Sequence, residues 1–167
     1  MRSTAIILAA GSGKRFSSKK KKQFVELFDK PLLYYSLKAF SESNADDIIV
    51  VTSKDDIDFV REDIVKKYGF SKVKSIVAGG DERYDSVYNG LKEAIGDICL
   101  IHDSARAMIS VELINRCIEE TFKYRAVVPV VAPKDTIRVR DGEFGGETID
   151  RNTLCIIQTP QCFDIAL

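Results

Sequence analysis

The sequence predicts an α/β fold, a mostly parallel sheet covered by helices on both faces, and three observations predict it. Short apolar runs alternate with longer stretches of helical periodicity along most of the chain. The apolar runs are continuous, as in strands buried on both faces. Polar or glycine-rich clusters follow those runs at 11–15, 79–83 and 102–106, where the carboxyl ends of parallel strands gather ligands.

The elements follow in order. Thr4–Ala10 is an apolar run that Gly11-Ser12-Gly13 breaks, so it reads as a buried strand entering a loop. Residues 14–30 are polar and basic. Pro31–Phe40 reads as a helix with proline at an early position, where its missing N–H costs nothing. Ile48–Thr52 is a second buried strand. Apolar residues at 57, 60, 64, 65 and 68 form a helical stripe that Gly69 stops. Ser75–Ala78 is a short strand, Arg83–Ile95 a helix, and Ile98–Ile101 a strand running into His102-Asp103. Val111–Phe122 is a helix capped by Ser110. Ala126–Val131 is a strand. Residues 135–151 alternate polar and apolar positions around Gly142, Gly145 and Gly146 and read as a projecting arm. Leu154–Gln158 is expected to be the last strand, and Phe163–Leu167 an interrupted helix start. A single domain over 1–167 is the expected organisation, with the arm inside it.

Composition excludes several classes. Lys+Arg 25 against Asp+Glu 25 leaves no net charge, so nothing global argues for a nucleic-acid partner or a polybasic membrane anchor. No apolar run approaches a membrane span of ~20 residues. Cys99, Cys117, Cys155 and Cys162 form no C-x-x-C pair and read as reduced thiols of a cytoplasmic protein.

The loop Leu8–Arg15 admits several readings. A Walker A loop fails, because Leu8 stands at its first glycine and Arg15 at its Ser/Thr. A dinucleotide fingerprint lacks its third glycine, with Phe16 there instead. A nucleotidyltransferase loop, Ala-Ala-Gly-x-Gly-x-Arg, fits, and an ordinary glycine-rich turn remains open. Between 14 and 30, seven basic residues outnumber two acids, which suits a polyphosphate site. Lys19, Lys20 and Lys21 alone read as a solvated lysine loop.

Further segments occur in register with that loop: Lys22-Gln23-Phe24, Lys30-Pro31-Leu32, Gly79-Gly80-Asp81-Glu82-Arg83-x-x-Ser86-Val87, His102-Asp103-x-Ala105-Arg106, Asp135-Thr136, Asp150-Arg151 and Gln158-Thr159-Pro160-Gln161-x-Phe163. Together they resemble the 2-C-methyl-D-erythritol 4-phosphate cytidylyltransferases of the non-mevalonate isoprenoid pathway. The resemblance implies a Rossmann-like, nucleotidyltransferase (GT-A type) fold. It also implies an enzyme joining CTP to methylerythritol phosphate with release of pyrophosphate, with Mg²⁺ as cofactor. On that resemblance Arg15 and Lys22 are the catalytic cations. Ala9, Ala10, Gly11, Gly13, Gly80, Asp81 and Ser86 hold the nucleotide, and Asp103 takes the metal. Arg106 lies near the substrates, and Thr136 and Arg151 bind the sugar phosphate of the neighbouring subunit in a homodimer built through the arm.

Each of these has a plainer reading beside it. Arg83 reads as an ion pair shaping its loop, Asp103 as the cap of the next turn, and Asp150-Arg151 as a surface ion pair worth little. His102, the only histidine, is not needed as a base when phosphate is the nucleophile. The chain departs from the family pattern at Ala107 and Lys21, where proline is usual. It also stops where family members continue, and so is expected to be C-terminally short. The competing functions are a ribitol 5-phosphate cytidylyltransferase and an inactive nucleotide-binding fragment.

Overall fold

The computed structural model describes residues 1–11 and 20–167. Its centre is a six-stranded sheet in the order β5-β4-β1-β6-β12-β7. These strands are β1 (Ser3–Ala9), β4 (Asp47–Thr52), β5 (Val73–Ala78), β6 (Ile98–Asp103), β7 (Ala126–Val127) and β12 (Gln161–Asp164). β1 pairs in parallel with β4 on one side and β6 on the other, and β5 extends the parallel set beyond β4. β12 is antiparallel to both β6 and β7.

The continuous apolar runs are explained by burial on both faces. In β1, Ala5, Ile7 and Ala9 face one core and Ile6 the other, and in β4, Ile48 and Val50 oppose Ile49 and Val51. The larger core receives Leu33, Leu37 and Phe40 of α1 (Leu32–Glu42) and Ile114, Cys117 and Ile118 of α4 (Val111–Tyr124). It also receives Val60 and Ile64 from a helix that begins as α2 (Ile57–Phe59) and widens to a π-helix over Val60–Lys66. The smaller core is closed by Val87 and Leu91 of α3 (Arg83–Leu91). Burying one fully apolar side chain contributes about 1.5–3 kcal/mol, so this two-sided core holds the strand ends at fixed spacing.

Several boundaries differ from those the sequence predicts. Ala126–Val131 is not one strand. β7 ends at Val127, and β8 (Val130–Val131) pairs instead with β11 (Ile156–Ile157) outside the main sheet. Pro129 stands at the break; it has no N–H for a ladder, and its carbonyl accepts from Gln158 N at 2.9 Å. Leu154–Gln158 contributes only β11, and the last strand of the main sheet is β12. The segment read as an interrupted helix start, Phe163–Leu167, begins instead inside a strand and continues as a turn, because Gln161–Asp164 completes the ladder of β6.

Inside the polar stretch before α1, β2 (Glu26–Leu27) and β3 (Lys30–Pro31) form a hairpin. Its two turn residues, Phe28 and Asp29, both take positive φ (48° and 60°), as a twist-matched two-residue turn requires. The arm is a hairpin of β9 (Ile137–Asp141) and β10 (Phe144–Ile149), turning at Gly142 with φ 54°. Among the described residues no helix is long and apolar enough to cross a membrane.

Candidate active site

At the carboxyl ends of β1, β5 and β6 lies a cleft of about 710 Å³. The β1 end contributes Leu8–Gly11, the turn before α3 contributes Gly80–Arg83 with Ser86 behind it, and the β6 end contributes Asp103–Ala105. Lys22 and Gln23 close a fourth side. The strand register places these loops together: Leu8 of β1 stands opposite both Val51 of β4 and Asp103 of β6. A second cavity, about 600 Å³, is lined by Phe24, Phe59, Ile64 and Tyr68 among others and shares none of the strand-end loops.

Each wall has a local cause. The Gly79–Gly80 turn approaches the first loop so closely that a Cβ on Gly79 would stand 2.5 Å from Ala10 Cβ and 2.7 Å from Ser86 Oγ. Gly80 N donates to Ser86 Oγ (3.1 Å), which donates on to Glu82 O (3.3 Å). Glu82 N donates to the Asp85 carboxylate at 3.2 Å, a reciprocal cap at the start of α3. Ser104 N donates to Leu8 O (3.0 Å), and Ser36 Oγ of α1 donates to Ser104 O (3.0 Å), so α1 pins the β6 loop from below. Gln23 is buried. Its side-chain nitrogen donates to Ala9 O at 2.6 Å and Gly11 O at 3.2 Å.

The charges converge on Asp103. Arg83 reaches its Oδ1 from Nε and Nη2 at 3.3 and 3.2 Å, and Arg106 Nε reaches Oδ2 at 3.4 Å. Arg106 also donates to the side chain of Gln158, at the far end of the chain's return from the arm. The Asp103 side chain is 34% exposed, so these pairs are partly screened and orient it more than they stabilise the fold. Asp103 does not cap the following turn; its carboxylate is used by the two arginines. Arg83 does form the loop-shaping ion pair.

His102 is fully buried beside the Phe40 ring, with Nδ1 2.9 Å from Thr159 Oγ1 and Nε2 without a partner among the described residues. Burial pushes its pKa down to about 4 against the opposing pull of Asp103. It is therefore neutral near pH 7 and shut away from the cleft.

The structure thus gathers Lys22, Ala9, Ala10, Gly11, Gly80, Asp81, Ser86 and Asp103 around one cleft, with Arg106 bonded to its rim. Gly13 and Arg15 lie outside the described residues. Thr136 and Arg151 do not line the cleft. They flank the Ile137–Ile149 pair at the root of the arm, both exposed, and Arg151 donates to Lys134 O at 2.7 Å. Asp150 does not pair with Arg151; its carboxylate caps the turn at Asn152 N, at 3.0 Å. Lys21 is not a solvated lysine either, being tied to Asp56 and to Ser53 Oγ, and Lys20 pairs with Glu26. Leu8, Gln23, Glu82, Ser104 and Ala105 also line the cleft, within segments the sequence singles out but without a role assigned to them there.

Comparison with known proteins decides the family. The model of the family described as "IspD: 2-C-methyl-D-erythritol 4-phosphate cytidylyltransferase" matches residues 3–167. The chain belongs to this cytidylyltransferase family. A protein of that description from Lachnoclostridium phytofermentans is 50% identical over 98% of this chain and 71% of its own length. One from Clostridium beijerinckii is 44% identical over 98% of this chain and 74% of its own. The crystal structure of the 4-diphosphocytidyl-2C-methyl-D-erythritol synthase of Anaerococcus prevotii superposes with a TM-score of 0.85 at 33% identity, covering 99% of this chain and 70% of that one. The α/β sheet and its helical layers are thus those of this family.

Proposed function

We propose that this chain joins CTP to 2-C-methyl-D-erythritol 4-phosphate, giving CDP-methylerythritol and pyrophosphate. The observation that carries the reading is the convergence, on one cleft at the strand ends, of a small-residue loop, a lysine whose side chain bonds no other described residue, and a partly exposed aspartate. An oxygen of the sugar phosphate forms a bond to the α-phosphorus of CTP. The bond from that phosphorus to the oxygen bridging to the β-phosphorus breaks, and pyrophosphate leaves. No protein nucleophile and no base is needed, so catalysis is placement plus stabilisation of charge at phosphorus.

The Gly79–Ser86 side and the Ala9–Gly11 side stand too close for a bulky side chain between them. The two loops are therefore packed against each other at Gly79, and a pyrimidine lying over that seam can be read by backbone groups and the Ser86 hydroxyl. Lys22 places a fixed positive charge at the mouth, and losing one such stabiliser typically costs ~10²–10³ in kcat. Arg15 is the second cation of this reading.

Asp103 suits Mg²⁺: it is a hard oxygen donor at a strand end, held by two arginine contacts of 3.2–3.4 Å that an incoming cation competes with. Bound there, the ion would neutralise phosphate charge. Arg83 and Arg106 then keep the carboxylate aimed into the cleft.

We also infer a homodimer built through the arm. Phe144 is 79% exposed on it and Val139 is exposed on its other strand, apolar side chains that a neighbouring subunit would cover. Thr136 and Arg151 at its root are then the contacts to the sugar phosphate of the neighbouring subunit, and Arg151 suits a bidentate phosphate contact. A cytoplasmic location is supported by the buried free thiols of Cys99, Cys117 and Cys162. The functional test is pyrophosphate release with each of four nucleoside triphosphates and methylerythritol phosphate or ribitol 5-phosphate. Release with CTP and methylerythritol phosphate, well above every other pair, is expected. Release with ribitol 5-phosphate alone, or with none, overturns the proposal.

A further inference from the structure

Among the described residues, the turn that carries Lys22 is anchored on three sides, and only one of these anchors reaches the nucleotide loop. Lys21, before it, is held by Asp56 and Ser53. Phe24, after it, packs edge-on against Phe59 with ring centres 5.1 Å apart. Gln23, between them, is 4% exposed and sends both hydrogens of its amide across to Ala9 O and Gly11 O. The Lys22 carbonyl accepts from Val25 N at 3.2 Å, but its side chain bonds no other described residue, so its position is set by its neighbours. A primary amide is well matched to this bridge, being neutral and offering two donors to two carbonyl oxygens. A carboxylate would repel those oxygens, and an alkyl chain would leave them unpaired.

We propose that Gln23 is the positioning residue that holds the nucleotide loop and Lys22 as one unit. It fixes the peptide planes after Ala9 and Gly11, and through its own backbone it fixes where the adjacent lysine meets the phosphates. It touches no reacting atom. The proposal rests on the cytidylyltransferase reading and on the role that reading gives Lys22.

The test compares the full chain with Gln23→Met, which keeps volume and removes both donors, and Gln23→Glu, which regains one donor only when protonated. Lys22→Ala and the Lys22→Ala/Gln23→Met pair complete a double-mutant cycle. Gln23→Met is expected to weaken CTP binding in calorimetry about tenfold and to lower kcat about tenfold, the scale of a small displacement at a reacting centre. The KM for methylerythritol phosphate stays within about twofold. With Lys22 already removed, the same change lowers kcat less than about threefold, because its effect runs through that lysine. Relative to wild type at the same pH, CTP affinity of Gln23→Glu recovers as pH falls from about 8 to about 5.5, as a carboxyl gains its proton.

A lower melting temperature with unchanged CTP affinity and kcat in Gln23→Met would make the residue merely structural and overturn the proposal. So would a full tenfold loss of kcat in the Lys22→Ala background. An inactive wild type, or Lys22→Ala as active as wild type, overturns the underlying reading and this proposal with it. An active wild type with an impaired Lys22→Ala and a normal Gln23→Met overturns this proposal alone.

Discussion

Replacing Gly79 by alanine adds one methyl group where the two halves of the cleft touch. The new Cβ would stand 2.5 Å from Ala10 Cβ and 2.7 Å from Ser86 Oγ, where ordinary contact is 3.4–4 Å. Roughly 1 Å must open between the first loop and the start of α3. Neither neighbour yields easily. Ala10 Cβ is fixed to its backbone, and the Ser86 hydroxyl is bonded to Gly80 N and Glu82 O. Gly79 is not among the positive-φ glycines, so alanine brings no backbone strain and the variant reports crowding alone. Overpacking of this kind costs about 1–3 kcal/mol, and a displacement of ~1 Å at a reacting centre costs ~10² in rate. Gly79→Ala is therefore expected to melt several degrees lower, to bind CTP at least about tenfold more weakly, and to lose about 10² in kcat. Calorimetric titration with CTP and thermal melting measure all but the last. Wild-type melting together with wild-type CTP affinity would refute the close approach.

Three further outcomes follow from the same geometry. Lys22→Ala is expected to lower kcat by about 10² or more with an unchanged melting temperature; near-normal kcat contradicts its role. Arg151→Ala and Thr136→Ala are expected to raise the KM for the sugar phosphate and leave that for CTP within about twofold; equal effects on both substrates contradict their place at a neighbour's site. Burial holds His102 at about 4, below its ordinary 6.5, so folding expels a proton. Its stability contribution is full above about pH 7 and is lost as pH falls from about 6.5 toward about 4, reaching ~2 kcal/mol at pH 5. Urea unfolding of wild type and His102→Gln at pH 7.5 and 5 checks this: the drop is smaller by that amount in the variant, and identical drops refute it.

The parallel core was legible because buried strands write continuous apolar runs: Thr4–Ala10 and Ile48–Thr52 need no partner to be recognised. The cleft was legible for the same reason, since its loops follow those runs. β12 was not, because Gln161–Asp164 has little strand character of its own and is a strand through its pairing with β6 and β7. The break at Pro129 depends on Gln158, far along the chain, taking a place beside it. Gln23 shows the same limit within the site. The Lys-Gln pair is visible in sequence, yet a buried amide spanning to Ala9 and Gly11 exists only once the loop has folded over it. Likewise Arg106 and Gln158 meet only through the sheet.

The most direct measurement is a crystal structure of the chain with CTP bound. The cytosine is expected over the seam where Ala9–Gly11 meets Gly80–Ser86, with the triphosphate running toward Lys22 and Asp103. A nucleotide seated elsewhere, or one whose phosphates leave Lys22 turned out to solvent, would contradict that arrangement.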